Sequence, residues 1–143
     1  MTQEEKNLLL KDLCGRLPFW VKCIVKSDGY VGVISSIESQ YGVVTFDDGR
    51  QEEICDIKPY LFPLSSMTEE QREELKNLGW YFDNFEIHNV SECLGTYREY
   101  VAHSDCFALI DWLNKNHFDC RGLIEKGLAI DATGLNIYKE ETK

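Results

Sequence analysis

The stretch Ser104–Ala129, SDCFALIDWLNKNHFDCRGLIEKGLA, constrains the fold of this chain more than any other. Ser104 is a good helix N-cap, because its hydroxyl can accept from a free backbone N–H of the first turn. Cys106, Leu109, Ile110 and Leu113 recur at the helical spacing and predict one apolar stripe. The helix is expected to end near Asn114–Asn116. Asp119 is placed to cap a second helix, with Phe118 and Leu123 at the spacing of a hydrophobic staple and Gly127 as its stop. The pattern predicts two helices meeting at a corner at Phe118–Asp119.

Upstream, Thr2 and Glu5 form a capping-box pair at the head of a helix over residues 2–14, which can turn Leu9, Leu10, Leu13 and Leu17 to one side. Pro18 forbids its continuation. Residues 19–64 change character. Trp20–Lys26 alternates apolar and polar positions, Asp28-Gly29 is a tight-turn signal, and Tyr30–Ile37 is a second β-rich run. Tyr41-Gly42 marks a reversal, Val43–Phe46 a third strand, Asp47-Asp48-Gly49 a turn, and Gln51–Ile57 a fourth strand. Short strands at this spacing predict a small SH3-like antiparallel barrel or meander. Lys58-Pro59 to Pro63 reads as an extended linker. Thr68 and Gln71 then open another helix that carries Leu75 and Leu78 and stops at Gly79. Trp80–Ile87 reads as a strand, and Cys93–Val101 fits either a strand or a short helix. Leu128–Asp131 and Leu135–Tyr138, flanking Ala132-Thr133-Gly134, predict a closing hairpin. The expected class is α+β, with an N-terminal helix plus SH3-like unit over 1–64 and a mainly helical unit over 65–143, packed as two units or as one compact domain.

Two phrases resemble a known group. Ile57–Gln71 (IKPYLFPLSSMTEEQ) and Ile110–Gly127 (IDWLNKNHFDCRGLIEKG) are similar to a family of small acidic proteins of gut anaerobic bacteria and their mobile elements. No activity is attached to that family, so the resemblance implies none here. A tyrosine stands in its pattern where this chain has Cys120.

The chain carries 25 acidic and 15 basic residues, a net charge of −10, and no two basic residues are adjacent. A surface that binds phosphates needs clustered Lys and Arg, so direct nucleic-acid binding and docking to anionic membranes are disfavoured. The acidic start MTQEEKNLLLKDL lacks the basic head of a signal peptide, and no apolar run reaches membrane-span length; the expectation is a soluble cytoplasmic protein. Six cysteines (14, 23, 55, 93, 106, 120) without a C-x-x-C pair are then expected as small buried hydrophobes.

His103-x-x-Cys106 and His117-x-x-Cys120 resemble two zinc half-sites. An intact helix would hold residues 106 and 117 about 16 Å apart, too far for one tetrahedral ion. His103 with Cys106 could form a nucleophile pair, but a stripe cysteine is buried and its thiol inert. Asp47, Asp48, Glu52 and Glu53 flank a turn without the spacing of a calcium loop. No catalytic residue, metal or cofactor is expected. The reading preferred is a non-enzymatic protein–protein interaction module. Trp20, Tyr30 and Tyr41 of the β unit, and His117 and Arg121 at the helical corner, are its candidate partner-binding residues. The alternatives are an acidic decoy that mimics DNA to inhibit a nucleic-acid enzyme, and a small hydrolase or metal enzyme.

Overall fold

The computed structural model describes residues 1–83, 86–89 and 106–138. It is an α+β arrangement of an N-terminal helix against a seven-stranded, mostly antiparallel sheet, with a second sheet of two strands. Helix α1 (Gln3–Arg16) opens with the expected capping box: Thr2 Oγ1 accepts from Glu5 N–H, and Glu5 Oε1 accepts from Thr2 N–H. It runs through Gly15 to Arg16 before a 3-10 turn at Leu17–Phe19.

Strands β1 (Lys22–Val25), β2 (Val31–Glu38), β3 (Val43–Phe46) and β4 (Gln51–Glu53) follow as a meander. Pairing of β2 with β3 shifts register between Ile34 and Ser36, and Ser35 turns its hydroxyl back onto the carbonyls of Thr45 and Phe46. The fourth strand ends at Glu53, because Ile54–Asp56 coils into a 3-10 turn that buries Ile54.

Residues 57–63 are no linker. They form β5 (Ile57–Pro63), which pairs antiparallel with β1. Proline is normally excluded from a paired strand because it lacks a donor. Here Pro59 stands opposite Cys23. The bond from Lys26 N–H to Asp56 C=O sets the alternation of the ladder, and that alternation turns the nitrogen of Pro59 away from β1. On the other edge, among the described residues, β5 is paired only from Tyr60 onward, so the missing N–H is not required there.

Helix α2 (Glu69–Asn77) starts in the capping box of Thr68 and Gln71 and buries Leu75. Strands β6 (Trp80–Asp83) and β7 (Glu86–Asn89) form the two-stranded sheet. The strand-or-helix segment 93–101 and the Ser104 cap lie outside the described residues. Helix α3 (Cys106–Lys115) ends where expected. Its inner stripe keeps the predicted Leu109 and Leu113 but takes Trp112 beside them, while Ile110 is exposed. Trp112, stacked 5.6 Å from Phe118, claims the core side of the helix, and Asn114 donates to the carbonyl of Gly15.

The second helix at 119–127 does not form. Phe118–Asp119 is a strand, β8, parallel to β5, and residues 120–129 are turns. Gly122 is the reason: its φ of +72° lies in the left-handed region, where the first helical turn would have to be. Asp119 still caps. Its carboxylate accepts from Arg121, Leu123 and Ile124 N–H at 3.3, 2.9 and 3.0 Å, a cluster of donors gathered by the turn itself. The closing hairpin is also absent. Ile130–Asp131 forms β9, parallel to β5, because that edge of β5 is open and Leu128, Ala129 and Ala132 bury their side chains there.

The main core joins Leu9 and Leu13 of α1 to the inward residues of β1–β5 and to Leu123, Leu128 and Ala129 from far down the chain. A second cluster holds Met67, Leu75, Leu113 and Phe118. The strands and apolar residues of the last thirty positions thus complete a sheet and core begun by the first sixty. Of the cysteines, Cys23 is buried as expected, and loss of solvent pushes its thiol far above the ordinary range. Cys14 and Cys120 are exposed and Cys55 is half-buried; they sit on turns and outer faces where no apolar layer covers them.

Asp119→Ala is expected to cost roughly 2–4 kcal/mol, since the turn loses several charge-assisted hydrogen bonds at a buried site. Urea unfolding measures it; a loss below about 1 kcal/mol would contradict this account of the turn.

Candidate functional site

Two places stand out: a buried polar cluster, and the exposed aromatics Trp20 and Tyr41 near β2. The cluster begins on α1. Asp12 and Arg16 share its inner stripe with Leu9 and Leu13, one and two turns apart. Arg16 is 0% exposed. Its Nε and Nη2 donate to the two carboxylate oxygens of Asp12 at 2.6 and 3.0 Å, and Nη2 also donates to the carbonyl of Phe118 at 2.6 Å. Arg121 Nε approaches the same carboxylate at 3.5 Å from the half-exposed side. Arg16 Nη1 has no partner among the described residues.

His117 lies beside this ion pair. It ends α3 with φ +61°, a conformation usually left to glycine or asparagine, and is 8% exposed. Its ring lies flat on Tyr138, centroids 3.6 Å apart and planes 8° apart, and its Nδ1 is buried without a partner among the described residues. Burial, then the charges of Arg16 and Lys22, hold the imidazole neutral and push its pKa down to about 4.

The two exposed aromatics lie to the side of β2 and beyond its end. The 3-10 turn lies against β2, and Ile34 N–H donates to the carbonyl of Val21. That docking leaves Trp20, in the left-handed region at φ +58°, 66% exposed. Beyond the far end of β2, Tyr41 is 69% exposed in the turn to β3.

Of the five residues picked from the sequence, Trp20, Tyr41 and Arg121 present themselves to solvent, and Trp20 and Tyr41 flank one strand. Tyr30 does not join them. Its ring packs edge-on against Phe46 at 5.2 Å, close to Gly32, where a Cβ would meet both rings at under 3 Å. Its hydroxyl donates to Asp48, which lowers the acidity of the phenol and holds the Asp48 carboxyl below its usual range. Arg50 lies over the same ring at 4.5 Å and bonds Asp28 and Glu52. The acidic turn is therefore tied together by Arg50 and Tyr30 rather than open to a cation. His117 belongs to the buried cluster and not to an exposed corner, because the carbonyl of Phe118 is drawn inward by Arg16. His103 lies outside the described residues.

Sequence reasoning missed the Asp12–Arg16 pair. The signal was present: an acid and a base four residues apart on the stripe that carries Leu9 and Leu13. Comparison with protein-family models, with curated proteins and with solved structures finds no match.

Asp12→Ala strands the Arg16 charge in the core and is expected to cost about 3–5 kcal/mol in urea unfolding. The depressed pKa of His117 also makes a pH prediction. The unfolded chain takes up the proton near pH 6.5 and the folded one only near 4. The stability that His117 contributes is thus complete above pH 6.5 and is lost as the pH falls to 4. The wild type is expected to lose about 3 kcal/mol more than His117→Asn over that window; equal losses would refute a neutral buried imidazole.

Proposed function

We propose that this protein is a non-enzymatic module that binds a protein partner along β2, with Trp20 as its anchor and Tyr41, in the turn that follows the strand, as a second contact. The observation that carries the reading is Trp20. A large apolar ring two-thirds in solvent contributes little to the fold. Its backbone adds a cost of about 1 kcal/mol or more in the left-handed region. Tryptophan is enriched among the residues that dominate binding energy at protein interfaces, where burial in a partner repays such exposure.

The strand arrangement supports the same reading. The order β4-β3-β2-β1-β5, the irregularity within β2 and the 3-10 turn before β5 fit an SH3-like barrel, an architecture whose aromatic surfaces dock extended peptides. The decoy reading gains less. A mimic of DNA wants carboxylates spaced along one face, whereas Asp28, Asp48 and Glu52 gather around Arg50 and Tyr30.

The test is capture of partners from the native host on wild-type protein and on Trp20→Ala, followed by affinity measurement with the purified partner. Trp20→Ala is expected to weaken binding at least tenfold, about 1.4 kcal/mol or more. Trp20→Gly is expected to abolish binding while raising unfolding free energy by up to about 1 kcal/mol, because glycine adopts this backbone without strain. Unchanged affinity in both variants would sink the proposal.

A further inference from the structure

The pairing of β1 with β5 runs Val25↔Ile57, Ile24↔Lys58, Cys23↔Pro59. Lys26 N–H donates to Asp56 C=O at 2.7 Å. In an antiparallel ladder every second pair bonds in this way. Ile24 with Lys58, and then Lys22 with Tyr60, are therefore the bonding pairs. At Lys22 the ladder is interrupted. Its N–H donates to the hydroxyl of Tyr138 at 3.0 Å, and that hydroxyl donates to the carbonyl of Tyr60 at 2.8 Å. The phenol oxygen stands between the two backbone groups that a continued ladder would pair, and relays the hydrogen bond from one to the other.

The rest of the segment is held from outside. The Tyr138 ring lies on His117 at 3.6 Å and leans on Phe62 at 6.1 Å, and Lys22 Nζ donates to the carbonyl of Ile137 at 2.8 Å. The covered ring of His117 has a buried Nδ1 that gains no bond from the cover.

We propose that residues 136–138 are a displaceable strap. Tyr138 is a wedge in the β1–β5 ladder, and when it leaves, the Lys22 amide takes the Tyr60 carbonyl directly. Both backbone groups are satisfied in either arrangement, so departure orphans neither of them. Two discrete packings of one segment are what a switching element requires. With the strap out, His117 becomes accessible beside the Arg16 ion pair and the half-buried Phe62 is bared further; with it in, His117 is covered. This goes beyond the Trp20 face, which lies on other residues.

The test is nuclear magnetic resonance of the full chain. The wild type is expected to show no through-hydrogen-bond coupling between Lys22 N and Tyr60 C′. In Tyr138→Ala that coupling is expected to appear, with Lys22 amide protection within about threefold of the wild type. A Lys22 amide that exchanges at least about tenfold faster without the coupling would make Tyr138 a fixed brace and overturn the proposal. So would the coupling in the wild type. Tyr138→Phe keeps the ring and removes the relay, and tests the idea if the alanine variant fails to fold. Its His117 ring protons are expected to shift downfield as the stack is lost, and unchanged shifts would equally refute a displaceable strap.

Discussion

The buried guanidinium of Arg16 is the interaction on which the rest of the architecture depends. It draws the carbonyl of Phe118 to the last turn of α1, and through it places β8 on β5 and the turn of Asp119 over the core. Asp12 answers the charge from within the same helix, and Arg121 closes over it from the turn. Such a pair does not have to add net stability. An apolar pair of similar volume often does as well or better. It acts by penalising alternatives: any register that leaves Arg16 in the core without Asp12 and the Phe118 carbonyl bears the cost of an uncompensated buried charge. That selects one seat for a C-terminal segment which, being mostly turns, has little periodic pattern of its own.

The legible parts of the fold were those decided locally. Both capping boxes, at Thr2 and Thr68, are written in residues three apart, and the meander β1–β4 in alternation between Asp-Gly and Tyr-Gly turns. Positions decided by distant partners were not legible. Pro59 reads as a strand breaker until one knows which edge its nitrogen faces. Phe118–Asp119 reads as a staple and cap, and the cap is real, but Gly122 diverts the backbone and β5 claims the strand. Ile130–Asp131 has no local partner because its partner is Tyr60–Leu61. For the candidate site, Trp20 and Tyr41 were visible as aromatics of the β unit. Their exposure depends on how the 3-10 turn docks on β2, which no periodicity reports.

The surface and the interior use polar groups in opposite ways. Around Tyr30, Arg50 gathers Asp28 and Glu52, while Asp48 takes the phenol hydroxyl, so the two hairpin ends are tied across the sheet in partly solvated ion pairs of modest worth. Around Arg16 the same chemistry is dry, every partner counts, and burial, helped by the positive charges beside it, keeps His117 neutral. Trp20 belongs to neither network. It stands out in solvent with its backbone in the left-handed region.

The parallel seating of β8 and β9 on β5 has a consequence for how the chain comes into being. The antiparallel strands of the larger sheet, and the helix that covers them, lie within the first 63 residues, so a nascent chain can assemble them while the remainder is still being synthesised. Arg16 then waits without its acceptor until Phe118 leaves the ribosome. The half-made protein carries an unfilled polar socket and a bare β5 edge, and the last thirty residues act as the stopper that closes both.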